Sequence, residues 1–332
     1  MATIYEVSKL AGVSLATVSR VINNNAPVRQ ATRVKVLDAM DKLGYHPNSI
    51  AQSLASSRSN SIGIVVSELN GPFFGTLLSD IEAAFRRAGK HVIIAAGHSD
   101  ERLEKESIAF LKSRNCDALI LHVEAVSDDY LSQLNQGGTP FVILNRFVES
   151  LSDRCVTLNN QHGGYLATQH LLRNGHRKIG YISGPMWKND AEQRYLGHLR
   201  ALAEYGIESK SSLFYEGDFH ELGGVKGVAA LLHADADITA IVCANDEMAA
   251  GAVTTAREQG LTLPDDLSIV GFDNVNFSHY MYPKLTTIDY PIGGMGVMAA
   301  RWVLKHIYQQ KLDNIQTVFE PRVIERDSVH SI

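Results

Sequence analysis

Cysteine is scarce in this chain of 332 residues: Cys116, Cys155 and Cys243 are the three it has. They are isolated and odd in number, which excludes a disulfide framework and leaves no CxxC spacing for a metal. Long apolar runs are also missing. The longest, HVIIAA and ALILHV, have the length of strands, so no membrane span and no membrane partner is expected. Glu6 interrupts the N-terminus and no basic stretch leads into an apolar core. No export signal is therefore read, and a cytoplasmic location is expected. Catalytic motifs are absent as well. No GxGxxG follows the first apolar run, Gly89-Lys90 continues into His91 so that no P-loop closes, and Gly180 to Gly184 reads GYISG, which misses the nucleophile elbow. His162, His170 and His176 do not share a helical face at ligand spacing, so solvated or helix-end histidines are expected. The enzyme class is left without chemistry, and neither a catalytic residue, a metal nor a cofactor is expected.

What is present is an uneven distribution of charge. The chain carries a net charge of −5. Residues 1–60 hold seven Lys and Arg against three acids (Glu6, Asp38 and Asp41), a local excess of +4 that leaves −9 on the remainder. A small basic head on a large acidic body suggests that one end meets a polyanion.

The head reads as all-helical. Ile4, Val7, Leu10 and Ala11 recur at helical spacing, and Gly12 permits a turn with positive φ. Ser14 can cap a second helix by accepting the amide of Ala16 or Thr17. Along that helix Val18, Val21 and Ile22 share one face, Ala16, Ser19, Arg20 and Asn23 the other, and Leu15 lies at the margin. A third helix is predicted from Gln30 to Leu43, burying Val34, Leu37, Met40 and Leu43 and ended by Gly44. Two helices joined by a tight glycine turn form the helix-turn-helix unit. Its second helix can enter a major groove, where Leu15 and Ala16 would meet a thymine methyl and Arg20 a guanine, with Asn and Ser side chains reaching phosphates.

The stretch ATIYEVSKLAGVSLATVSRVIN, followed by TRVKVLDAMDKLGYHPN, resembles the DNA-binding headpiece of the lactose/galactose repressor family. The resemblance assigns residues 1–47 to a headpiece, 48–61 to a hinge and 62–332 to an effector-binding and dimerisation core. The expected DNA-binding residues are Thr3, Ser14, Leu15, Ala16, Thr17, Ser19, Arg20 and Asn23, with Asn48, Ala51 and Leu54 from the hinge. In the segment NSIAQSLASSRSNS, Ile50, Ala51, Leu54 and Ala55 form a short amphipathic stripe. A segment under about 12 residues does not hold a helix alone in water and would order against a copy of itself on DNA. In the family its leucine, here Leu54, wedges into the minor groove at the centre of a palindromic operator.

From residue 62 the hydrophobic period changes. Apolar runs IGIVVS, HVIIAA, DALILHV and PFVILN alternate with helical stretches, and a second series (KIGYIS, SLFYEG, ITAIVCAN and LSIVGF) repeats the pattern. Alternation of this kind predicts two α/β lobes with parallel sheets, and a ligand cleft at the carboxyl ends of their strands. Polar residues recur just past those ends: Asn145-Arg146, Asn245-Asp246 and Asp273-Asn274. Carboxylates, carboxamides and guanidinium groups beside aromatic faces suit a sugar. Singly, each Asn or Asp also reads as a helix cap.

The body carries the same family resemblance in GPFFGTL, VILNR, ATQHLLRNGHRKIGYISG, DAEQRYLGHLRAL, CANDEMAAGA, LPDDLSIVGFDN and LTTIDYP. It implies a periplasmic-binding-protein-like core, its first lobe at about 62–159 plus 290–318 and its second at about 160–289 plus 319–332. The implied effector residues are Phe73, Asn145, Arg194, Phe219, Asn245, Asp273 and Tyr290. On the residues alone, Arg194 could instead form a surface pair with Asp190, and Phe73 and Phe219 could be plain core. Asn159 stands where many members carry Asp, and the chain ends at PRVIERDSVHSI without a leucine heptad tail, as in dimeric members. Leu15-Ala16, NDEMAAGA and TTIDYP are similar to the galactose-responsive branch. The resemblance thus implies a homodimeric repressor of double-stranded operator DNA, released when a small sugar, D-galactose first, closes the cleft and separates the hinge helices. Another sugar, or a purine-type corepressor mode, is the alternative; a free sugar-binding protein would lack the headpiece. Leu54→Ala is expected to weaken binding to a palindromic operator far more than binding to non-specific DNA in a titration at fixed salt. Equal loss on both DNAs would contradict the wedge.

Overall fold

Thr3 sets the start of the first helix, α1 (Ile4–Ala11), through a capping box: its backbone amide donates to the Glu6 carboxylate at 2.7 Å while its own hydroxyl accepts the Glu6 amide. The computed structural model describes residues 2–23, 26–46 and 58–332. The expected hinge contacts Asn48, Ala51 and Leu54 lie outside the described residues. Gly12, at φ +65°, ends α1 in the left-handed conformation and turns the chain into α2 (Leu15–Asn23), whose first turn is capped by Ser14 accepting the Thr17 amide at 3.2 Å. The third helix, α3 (Gln30–Leu43), ends at Gly44 as the sequence predicts.

The buried face of α3 differs from the expected one. Val36 and Ala39 enter the small core with Val7, Val18 and Val21, and Met40 and Leu43 pack at its edge. Val34 and Leu37 are 46% and 48% exposed. The helix carries two overlapping apolar stripes, and packing against α1 and α2, which the periodicity of one helix does not encode, selects between them. After the undescribed segment, the Ser59 and Asn60 amides donate to the Asp117 carboxylate at 2.8 and 2.9 Å.

The body opens with β1 (Ser61–Val66), α4 (Pro72–Arg87), β2 (His91–Ala96), α5 (Glu101–Ser113), β3 (Ala118–Leu121), α6 (Asp128–Gln136), β4 (Phe141–Leu144) and β5 (Cys155–Leu158). A second series follows: α7 (Asn160–Arg173), β6 (Ile179–Ser183), α8 (Asn189–Glu204), β7 (Phe214–Glu216), α9 (Glu221–Ala234), β8 (Ala240–Cys243), α10 (Asp246–Glu258), β9 (Ser268–Asp273) and β10 (Thr286–Asp289). The chain closes with α11 (Ile292–His306), β11 (Val318–Phe319) and β12 (Arg322–Ile324). The central strands ALIL, FVIL and AIVC are buried at every position, as parallel strands covered on both faces must be.

The first sheet has the order β11-β5-β4-β3-β1-β2 and the second β12-β10-β9-β8-β6-β7. Each therefore repeats one winding, with β12 the antiparallel edge strand of the second. The chain passes between the sheets after β5, after β10 and between β11 and β12, with Phe319 paired to Leu158 in the first sheet. Strand order reverses beside β1 and β6, which opens a crevice at the carboxyl ends of the strands.

Helices α7 and α8 approach through two glycines. A Cβ on Gly164 would stand 1.9 Å from the Arg194 carbonyl oxygen, and one on Gly197 would stand 2.0 Å from that of Gln161. This close contact sets how deeply α8 sits in the second lobe. Gly197→Ala is expected to lower unfolding free energy by about 1–3 kcal/mol, the usual range for overpacking. Gly75→Ala, on α4 with nothing near the added methyl, should instead stabilise by about 0.5–1 kcal/mol. Chemical denaturation of both variants checks the signs.

Candidate functional site

In the head, Ala16, Arg20 and Asn23 are exposed and lie at helical spacing along α2, while Val18 and Val21 hold its opposite face in the core. Ser14 and Thr17 share a hydroxyl contact of 2.9 Å within the cap, and Asn23 donates to the Ser19 hydroxyl at 3.2 Å. Thr3 forms the cap of α1, and Leu15 is half-buried. The second helix of the unit thus offers a small residue, a cation and a carboxamide along one exposed face, the chemistry of base and phosphate contact.

In the body, Phe73, Arg194, Phe219, Asn245 and Asp273 line one cleft at the carboxyl ends of both sheets. The cleft is open to solvent. Arg194 on α8 is 3% exposed. Its Nε donates to Asn160 at 2.9 Å and its Nη1 to the Ala244 carbonyl at 2.6 Å, and Nη1 lies 3.6 Å from the Asp273 carboxylate. The guanidinium carbon lies 3.8 Å from the centre of the Phe272 ring. The expected alternative, a surface pair with Asp190, is corrected: that contact exists at 3.9 Å but is buried and secondary.

Two expected residues take other places. Asn145 does not line this cleft. It donates to Asp190 at 3.2 Å, accepts from Asn160 at 3.2 Å, and faces an adjoining cavity. Its φ of +59° turns the carboxamide back toward the inter-lobe network. Tyr290 lies behind the cleft, its ring 5.0 Å from that of Phe73 and its hydroxyl without a hydrogen-bond partner among the described residues. Burial drives its hydroxyl well above the ordinary phenol range. Asn245 caps α10 by accepting the Met248 amide at 2.9 Å and donates to the Phe219 carbonyl at 2.7 Å, so the cap reading and the cleft reading hold together. Phe219, Asp273 and Asn274 all adopt positive φ, at +69°, +105° and +54°. Backbone held there costs of order 1–3 kcal/mol per residue and persists where surrounding contacts over-determine it.

Glu124 and Lys188 were missed by the sequence reading, although both follow strand ends. The Lys188 ammonium in the second lobe meets Glu124 at 2.7 Å and Ser99 at 3.0 Å in the first. Burial pulls the Glu124 carboxyl upward, but Lys188 and His122 outweigh it and leave it below the ordinary range. Across the same gap His220 lies 3.4 Å from Glu68. Glu68, Asp190, Asp218, Glu247 and Asp273 also face the cleft, so acids outnumber Lys188 and Arg194. Burial raises Asp273 well above the carboxylate range despite Arg194. Asn159 caps α7 and donates to Glu320 at 3.1 Å, a bond that an Asp in its place could not donate. His176, just past the end of α7, is buried, its ring nitrogens bonded to Thr239 and the His330 carbonyl, so that of the expected solvated and helix-end readings it takes the second. No cluster of three metal-ligating side chains occurs among the described residues, and none of their helices is long and apolar enough to cross a membrane.

A helix-turn-helix head followed by a two-sheet body with a cleft open to solvent defines the class of ligand-responsive DNA-binding proteins. A model for bacterial regulatory proteins of the lacI family matches residues 3–48, and one for a periplasmic binding protein-like domain matches residues 168–329. The chain is 39% identical over 329 residues to the HTH-type transcriptional regulator GalR of Escherichia coli (strain K12), spanning 99% of this chain and 96% of that one. It is 34% identical over 333 residues to the HTH-type transcriptional repressor PurR of Aliivibrio salmonicida (strain LFI1238), spanning all of both. The structure of the lac repressor dimer bound to operator and the anti-inducer ONPF superposes with a TM-score of 0.87 at 27% identity over 99% of each chain. The chain belongs to the lacI family of bacterial regulatory proteins. It is a DNA-binding transcriptional regulator, not an enzyme.

Beneath the cleft, Asp246 accepts from Thr287 at 2.6 Å and from the Val275 amide at 2.9 Å, and burial raises its carboxyl from 3.8 to about 7. Between those values the folded chain keeps a proton that the unfolded chain releases, so this contribution to stability is complete below the lower value and is lost as pH rises through the upper one. Asp246→Asn cannot ionise. Its stability relative to the parent, read by denaturation, is expected to increase from pH 4 to pH 7; a decrease would contradict the assignment.

Proposed function

We propose that this regulator represses transcription as a homodimer on a palindromic operator, and that a small neutral sugar, D-galactose first, binds the cleft and releases it. One observation carries the sugar reading: the buried Arg194 guanidinium, the Asn245 carboxamide and several acidic side chains, Asp273 among them, converge beside the rings of Phe73 and Phe219. Such groups pair with vicinal hydroxyls while the rings cover the C–H face of a pyranose. Phe73, Arg194, Phe219, Asn245 and Asp273 are proposed to touch the sugar. Asn145 and Tyr290 act behind them, Asn145 by orienting Asp190 and Tyr290 by backing Phe73. The 39% identity to GalR and the sequence features of the galactose-responsive branch support galactose over other sugars.

On the DNA side, Leu15, Ala16 and Arg20 read base edges, while Thr3, Ser14, Thr17, Ser19 and Asn23 serve phosphates. Phosphate neutralisation makes the affinity salt-dependent. The sugar acts through unequal affinity for operator-bound and free states, and a coupling of 1–3 kcal/mol corresponds to about 5- to 150-fold in operator affinity. The identity to PurR supports one second reading, in which a purine strengthens DNA binding instead.

Fluorescence anisotropy of a labelled palindromic operator separates the two. D-Galactose is expected to release the protein, and guanine or hypoxanthine to leave the complex unchanged. Tightening by a purine would replace the sugar reading with the corepressor reading. Asp273→Ala is expected to keep operator binding and to need at least about fivefold more galactose for release, one buried hydrogen-bond partner lost being worth about 1–3 kcal/mol. Loss of operator binding with unchanged sugar affinity would overturn the placement of Asp273.

A further inference from the structure

Beside the cleft lies a second cavity, open to solvent, which carries Asp128, Asn145, Arg146, Phe147, Trp187 and Asn189. The two cavities meet at Glu124 and Asp190, which line both. Trp187 and Phe147 are 57% and 60% exposed. Large aromatic faces left in water within one concavity call for an occupant.

Trp187 is held in place rather than hanging free. The Lys188 amide donates to the Pro185 carbonyl at 2.9 Å, closing a turn around it, and the Met186 amide donates to the Glu216 carboxylate at 2.8 Å. Opposite, Arg146 is anchored by Asp128 and by the Val126 carbonyl at 2.7 Å. The Lys188 ammonium lies 5.5 Å from the centre of the Trp187 ring and 5.7 Å from that of Phe219 in the main cleft. Both rings therefore border the same cation, and their centres are no further apart than the sum of those distances.

From this we infer that the cleft takes a two-ring glycoside, one ring at Phe219 and Arg194 and the second on the face of Trp187 in the outer cavity, with Lys188 beside the linking oxygen. The inference rests on the sugar reading above and deepens it. An indole suits the role because its apolar face covers sugar C–H groups. Asp128 and Asn189 supply acceptors and a donor at the rim.

The experiment is calorimetric titration of the full-length protein with D-galactose, D-glucose and disaccharides carrying each as the non-reducing unit, with tryptophan emission followed in parallel. Trp302, the other tryptophan, is buried and bonded to the Asp153 carbonyl, so a ligand-dependent shift reports Trp187. The expected result is a disaccharide that binds about tenfold tighter than its monosaccharide, an aromatic contact of order 1.4 kcal/mol, with a shift in emission. Trp187→Ala should bring that ratio close to one, and Phe147→Ala should reduce it. A monosaccharide that binds as tightly as every disaccharide would overturn the second ring and leave the sugar reading standing. A preference that survives Trp187→Ala would overturn the assignment to that face. Failure of every sugar to bind would overturn the sugar reading and the second ring with it.

Discussion

The Arg194 guanidinium ties together the parts of the second lobe that face the ligand. A cation this buried is costly unless paired and hydrogen-bonded on all sides. Here the partners come from separate segments: Asn160 at the start of α7, the Ala244 carbonyl after β8, and Phe272 with Asp273 at the end of β9. Each of those segments is thereby fixed relative to α8. The arrangement requires α8 to lie deep against α7, which the facing glycines allow. Asp273 is in turn left buried among other acids, and Arg194 is the cation that compensates it.

Behind the cleft the lobes share the ring contacts of Phe272, Tyr290 and Phe73, and across its opening they meet through polar contacts: Lys188 with Glu124 and Ser99, Asn145 with Asp190 and Asn160, His220 with Glu68. Such contacts are individually modest and can be exchanged for contacts with a ligand that presents hydroxyls. A cleft closed by a hydrophobic seam would have no such alternative. The chemistry that joins the lobes is therefore the chemistry that recognises the ligand, and this is the physical route by which occupancy biases the relation between them.

Much of this was legible in one dimension. The boundaries of α2 and α3 follow from Ser14, Gly12 and Gly44, whose effects are local. The parallel sheets follow from apolar runs such as ALIL and AIVC. Strand-end polar residues led to Asn245 and Asp273 because the same winding occurs twice. Glu124 and Lys188 escaped that rule because they stand further past the ends of β3 at Leu121 and β6 at Ser183, in loops whose path the strand pattern does not specify. The exposed side of α3 was misread because Val34 and Leu37 satisfy the period as well as Val36 and Ala39 do.

By itself the sequence determined the order of the elements, the basic head, the alternating body and the residue types at the strand ends, since capping, periodicity and turn chemistry act over a few residues. Only the tertiary structure decided that Arg194 is enclosed rather than paired at the surface, that Asn145 and Tyr290 stand behind the cleft, and that Trp187 faces a cavity of its own. Those outcomes depend on which distant segments share a space: Asn160, Ala244 and Asp273 converge on one guanidinium because two sheets and their helices pack as they do. Burial and pairing are properties of that packing, and no spacing along the chain specifies them.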